Sequence, residues 1–204
     1  MGSASDFAET YARPADTYDR TRSAALETLL PLIQRLRHVR AGAAPLDVGG
    51  GTGNCAKASQ THGYDVAVVD RSPAMLSVCA GKDLPVVRGD AAALPAQDSS
   101  VDVVTMISML HQVPDWRGGL AEADRVLKPV GTLALLLYTA EHLLNHYFLG
   151  YFPRSRTWAG TEHVELAAYI AELPGAHVQP LQIRTTDDLT GQVMRRHPWL
   201  GAAD

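Results

Sequence analysis

Short apolar runs alternate with segments of helical period along most of this chain. The runs are Leu46–Val48, Val66–Val69, Val86–Val87, Val101–Ile107 and Thr132–Tyr138. They are rich in Val and Leu and barely alternate with polar residues, the pattern of parallel strands covered on both faces. Helix punctuation lies between them. Ser72 followed by Pro73 reads as an N-cap with proline in the first turn, leading into Ala74–Ala80. Leu120, Ala123, Val126 and Leu127 share one helical face, and that pattern stops at Pro129. The alternation predicts an α/β fold, a doubly wound, mostly parallel sheet with helices on both faces.

The 204 residues read as one domain. An N-terminal helical segment covers 1–40, with a break near Pro31, and the core spans 44–138. A helical, aromatic-rich segment follows over 139–176, with Thr161 as an N-cap for a helix to about Leu173. A strand and tail occupy 177–204, where Pro180 demotes the strand to an edge or a bulge. Charged residues are 20% of the chain and the net charge is −4, so no basic face points to nucleic acid. Cys55 and Cys79 make neither a disulfide framework nor a zinc pattern. The run from Thr132 is too short to cross a bilayer, and the N-terminus lacks a secretory apolar core. A cytoplasmic protein without membrane partners is the expectation.

Glycine concentrates in one place. Residues 45–54 read PLDVGGGTGN, directly behind the first apolar run and ahead of a helical pattern. Glycine there lets a ligand approach the main chain, whose N–H groups face it. A dinucleotide fingerprint, G-x-G-x-x-G/A, fits Gly49 and Gly51 but fails at Asn54. An acidic residue followed by G-x-G-x-G fits Asp47, Gly49, Gly51 and Gly53. Asp70 ends the second strand, where a carboxylate can accept hydrogen bonds from vicinal ribose hydroxyls. Asp90 follows the third strand, placed to meet an adenine amino group.

These segments, with SMLHQVPD and EADRVLKPVGTLAL in the same order, resemble the class I S-adenosylmethionine-dependent methyltransferases, especially their small-molecule branch. The resemblance covers about Leu46 to Leu137. It implies a Rossmann-like methyltransferase fold with S-adenosyl-L-methionine as cofactor and S-adenosyl-L-homocysteine as product. By it, Asp47, Gly49, Gly50, Gly51 and Gly53 would cradle the methionine portion. Asp70 and Arg71 would hold the ribose side, Asp90 with the Ala91 backbone would face adenine, and Ser108 and Met109 would flank the sulfonium. Val130 stands where the family commonly has Gly, and Val resists the positive φ of a type II turn. Ala96 and Val101 stand where Phe is frequent. The family closes its sheet with a sixth and an antiparallel seventh strand. After Ile183 no convincing strand follows, so that end is incomplete or remodelled, and a homodimer or a covering tail is expected.

The implied activity is methyl transfer to O, N or C of a small organic acceptor, with no metal. His111 follows the fourth strand and is the candidate base, set against a histidine packed under the loop. His142 and His146 stand i, i+4, a metal-capable spacing without a third ligand, and a substrate-facing helix side is the other reading. Tyr18, Tyr138, Tyr147 and His142, with His111, are the candidate acceptor contacts, and Tyr11 and Tyr151 flank them. Cys55 at a helix start could have a lowered thiol pKa or be a small packing residue. Asp102 reads as structural, and Trp116 as the anchor of a helix start. The alternatives are a non-catalytic cofactor-binding module of the same fold and a nicotinamide-dependent oxidoreductase.

Overall fold

The computed structural model describes residues 43–137, together with residues 15, 18, 19, 165, 166, 168–170 and 172. The chain divides into two compact units, Met1–Leu136 and Leu137–Asp204. In the second, Leu166 is buried and Tyr169 exposed. The expected N-terminal helical segment over 1–40, the aromatic-rich segment over 139–176 and the C-terminal strand and tail lie outside the described residues or are described only in fragments.

The first unit is built on five parallel strands: β1 (Pro45–Val48), β2 (Ala67–Asp70), β3 (Val86–Arg88), β4 (Val101–Ile107) and β5 (Leu127–Leu136), in the order β3-β2-β1-β4-β5. Helices α1 (Asn54–Gln60), α2 (Pro73–Ala80) and α3 (Trp116–Val126) connect them, with a 3-10 turn over Leu110–Gln112. β1 lies between β2 and β4, so the chain winds one way from β1 and the other way from β4. An open sheet of this kind leaves a crevice at the carboxyl ends of the strands where its winding reverses.

Burial follows the apolar runs. All four residues of β1 are buried. Val48, Val68, Val103, Val104 and Met106 are each at most 1% exposed. Burying a side chain of this size stabilises by about 1.5–3 kcal/mol relative to leaving it in water. Ser72 caps α2 as its sequence implied, its hydroxyl accepting from the Met75 amide at 3.4 Å. Trp116 is the first residue of α3, and the cap beside it is Asp115, whose carboxylate accepts from the Gly118 amide at 2.9 Å.

β5 begins five residues before the expected Thr132. α3 passes straight into it at Leu127, which pairs with Val101 across an irregularity between Val101 and Val103. Lys128 donates to the Asp102 carboxylate at 2.9 Å and fastens this start, which gives Asp102 its structural role. Val130 is an extended strand residue, 95% exposed. No type II turn is needed there.

Candidate functional site

β1 ends at Val48 and the chain crosses towards β2 through the glycine loop. The Gly49 amide donates to the Val69 carbonyl at 2.7 Å. The Gly51 amide donates to Asp70 Oδ2 at 2.9 Å, and the Ser72 amide donates to Asp70 Oδ1 at 2.8 Å. One carboxylate thus ties the loop to the end of β2 and to the start of α2. Two of the loop glycines serve opposite needs. Gly53 has φ of 79°, and a Cβ there would lie 2.5 Å from Cys79 Sγ, so it is fixed by packing. Gly51 has φ of 57°, and a Cβ there would meet nothing within 4 Å, because it faces an open cleft.

That cleft holds about 900 Å³ of empty space counted out to solvent. Its walls come from the ends of four strands: Val48 with Gly49 and Gly51, Val69 with Asp70, Arg71 and Ser72, Gly89 with Asp90 and Ala91, and Ile107 with Ser108 and Met109. Tyr18, Met75, Gln112 and Val113 complete the wall. Among the described residues, no side chain fills it. Two carboxylates, Asp70 and Asp90, stand among mostly apolar lining side chains, as in a site that orients a ligand through a few polar contacts.

Asp47, Gly50 and Gly53 are not part of the cleft wall. Asp47 lies beneath the loop, 1% exposed. Register sets it beside Thr105 of β4, whose hydroxyl donates to Asp47 Oδ1 at 2.7 Å. Asp47 Oδ2 is buried without a hydrogen-bond partner. A Cβ on Gly50 would come within 2.6 Å of that oxygen. Burial pushes the Asp47 carboxyl up to about 6, against the Thr105 hydrogen bond and helped by the negative charge of Asp70. This is an acid held under the loop at a cost, not a surface contact.

Asp90 forms a tight turn, accepting from the Ala92 amide at 3.0 Å. Asp90 also lines the cleft. The segment that follows is pinned by Arg125 and Glu122 of α3. Arg125 donates to the carbonyls of Ala96 at 2.9 Å and Leu94 at 3.1 Å, and to the Glu122 and Asp98 carboxylates. Glu122 also accepts from the Leu94 amide at 2.7 Å. Hydrogen bonding to Arg125 lowers the Glu122 carboxyl, and both carboxylates raise the Arg125 guanidinium. Nothing in the apolar pattern of α3 announced this role for its polar face.

After β4, Ser108 adopts φ of 51°. A non-glycine residue holds that conformation at a cost of about 1–3 kcal/mol and keeps it only where neighbours impose it. Here the Ser108 amide donates to the Leu136 carbonyl at 2.9 Å and Gln112 Nε2 approaches the Ser108 carbonyl at 3.4 Å. Gln112 lines the cleft; His111 does not, and its Nε2 lies 3.3 Å from Gln112 Nε2. The sequence singled out His111 because it follows the fourth strand, but the short 3-10 turn presents its neighbour. Cys55 is buried, and burial raises its thiol well above the ordinary value, so the helix start does not activate it. Burial also raises Cys79, to about 11. Of the acceptor candidates, Tyr18 lies on the cleft, whereas Tyr138, His142 and Tyr147 lie outside the described residues, as do Tyr11, His146 and Tyr151.

Residues 46–135 match the family model of a methyltransferase domain. The chain is 41% identical over 102 residues to the demethylmenaquinone methyltransferase of Renibacterium salmoninarum, covering 46% of this chain and 42% of that protein. It is 32% identical over 145 residues to an uncharacterized methyltransferase of Mycobacterium tuberculosis, covering 68% and 56%. Its fold is similar to a chain in the complex between the Haloferax volcanii Trm112 methyltransferase activator and a methyltransferase, with a TM-score of 0.68 and 21% identity over 92% of both chains. The chain spans about half the length of the curated relatives it matches, from 39% to 56% of each.

Proposed function

We propose, from the premise that residues 46–135 belong to the class I S-adenosylmethionine-dependent methyltransferases, that this protein transfers a methyl group from S-adenosylmethionine to O, N or C of a small organic acceptor. The observation that carries this reading is the open cleft in which bare main chain at Gly49 and Gly51 meets Asp70 and Asp90. The space beside Gly51 is one that a Cβ would enter, so the residues present fit an amino-acid-bearing nucleoside.

When bound, the cofactor supplies a methyl group already activated by its sulfonium. The work of the chain is therefore binding, alignment and exclusion of water. Asp70 keeps lone pairs for the ribose hydroxyls after its two main-chain contacts, because an ionised carboxylate offers about four acceptor positions. Asp90 and the Ala91 backbone take the adenine. Arg71 closes the ribose side. Ser108, Met109 and Gln112 stand towards the acceptor, and His111 acts on that side through its contact with Gln112. Asp47 acts from below, fixing Gly50 and the course of the loop. Fixing two reactants in line can supply about 7–11 kcal/mol of barrier reduction.

The apolar wall of Ile107, Met109 and Val113 suits an apolar or aromatic acceptor. A demethylated naphthoquinol is the first acceptor to try, because several relatives are demethylmenaquinone methyltransferases. The test is turnover with methyl-labelled cofactor over a panel of naphthoquinols, phenols and amines, read by mass spectrometry. A methylated product that requires S-adenosylmethionine supports the proposal. Binding of the cofactor with no product across the panel would favour a non-catalytic module instead.

A further inference from the structure

Asp19 hydrogen-bonds two side chains of the glycine loop and the helix start behind it. Its Oδ1 accepts from the Thr52 hydroxyl at 2.6 Å and from Asn54 Nδ2 at 3.0 Å. Its Oδ2 pairs with Lys82 Nζ at 2.6 Å. Lys82 Nζ also donates to Asn54 Oδ1 at 2.7 Å, which closes a ring of three side chains. One carboxylate thus gathers Thr52 (the residue after the cleft-lining Gly51), the first residue of α1, and the turn that follows α2. Thr52 is 1% exposed, while the side chains of Asp19 and Lys82 are 35% and 21% exposed, so solvent still reaches the ion pair. Burial pushes the Asp19 carboxyl up, but the hydrogen bonds from Lys82, Thr52 and Asn54 and the Lys82 charge outweigh it and hold the group below its ordinary value. The residue before it, Tyr18, stands on the cleft wall.

Chain connectivity turns this arrangement into a device. Asp19 fastens the loop through Thr52 and Asn54, while Asp70 fastens it to β2 through the Gly51 amide. Fixing Asp19 fixes Tyr18 one residue away. We propose that Asp19 is a positioning residue: its bonds to Thr52, Asn54 and Lys82 hold Tyr18 on the cleft and the loop in its ligand-ready course, and so govern how fast the bound nucleoside leaves. The proposal rests on the cofactor reading above.

The test compares wild type with Asp19→Ala, Asp19→Glu and Lys82→Met. Release of S-adenosylhomocysteine is followed by stopped flow, and amide exchange is measured on the ligand-free proteins. Asp19→Ala should speed release about tenfold or more, the size expected for losing hydrogen bonds to a charged group. Lys82→Met should speed it less, because Thr52 and Asn54 still hold the carboxylate. Asp19→Glu should recover part of the effect. Exchange at Thr52 and around Tyr18 should quicken in Asp19→Ala, while the melting temperature shifts by only a few degrees. An unchanged release rate, or a lower melting temperature with release untouched, overturns the proposal and leaves Asp19 a stabilising contact. If wild type does not bind S-adenosylhomocysteine, the cofactor reading fails, and exchange alone then judges the latch: no change at Thr52 and Tyr18 refutes it. Should Asp19→Ala fail to fold, Lys82→Met carries the same two readouts.

Discussion

Asp47 is the residue whose substitution tests the interior of the site most sharply. Its carboxylate is buried between β1 and β4 with one hydrogen bond and one oxygen without a partner. The charge is therefore disfavoured in the folded state and easy in the unfolded state, where water solvates it. The folded group titrates at about 6, against 3.8 for the ordinary side chain. That difference is worth on the order of 3 kcal/mol, at about 1.4 kcal/mol per pH unit. The sign follows from proton counting. Between about pH 4 and pH 6 the folded protein holds a proton on Asp47 that the unfolded chain has lost, so stability falls as pH rises. The full contribution is present below the unfolded pKa and is gone above the folded one. Asp47→Asn has nearly the same shape and cannot ionise. Urea unfolding of both proteins, in half-unit steps from pH 4 to pH 8, isolates the effect, because every other titrating group cancels in the difference. The stability of the variant minus that of wild type should climb by roughly 2.5 kcal/mol across that range, with most of the climb complete by pH 6.5. Parallel curves would show that Asp47 is not a buried ionisable acid in this fold.

Gly51→Ala and Gly53→Ala should separate binding from folding. The first adds a methyl group to the open cleft and should abolish nucleoside binding, with a loss of stability of about 1 kcal/mol from positive φ; the second meets Cys79 and should lower unfolding free energy by about 2–4 kcal/mol, read by urea titration. Asp70→Ala should weaken S-adenosylhomocysteine binding by at least about 1.5 kcal/mol in calorimetry, the lower end for hydrogen bonds to a charged group, and unchanged affinity in a folded variant would move the ribose contact elsewhere. His111→Ala should slow turnover and leave cofactor affinity as it was; untouched turnover would make His111 a packing residue.

What the sequence made legible is what depends on neighbours along the chain. Buried parallel strands appear as continuous apolar runs, and β4 was bounded at Val101 and Ile107, as found. The cap at Ser72 and the glycines after Val48 were equally plain, because their geometry is demanded within four or five residues. What escaped depends on contacts made at a distance. Asp19 reaches Thr52 across 33 positions, and no periodicity marks it. Arg125 holds Leu94 and Ala96 from the polar face of α3, about which the apolar pattern says nothing. β5 begins early because Leu127 finds Val101 and Lys128 finds Asp102, pairings invisible in the local run. His111 attracted attention by its place after β4, whereas a 3-10 turn decides which side chain faces the cleft, and it presents Gln112. Asp47 was read as a ligand contact because the motif includes it. The β1–β4 register instead places it under the loop, beside Thr105.

The central claim is that the crevice at the head of β1, β2 and β4 accepts an adenosyl amino acid. Calorimetric titration of S-adenosylhomocysteine into the wild-type chain, beside the same titration with NADH, tests it most directly. The account predicts saturable one-to-one heat with the first and none with the second. Heat from NADH alone, or from neither, would contradict it.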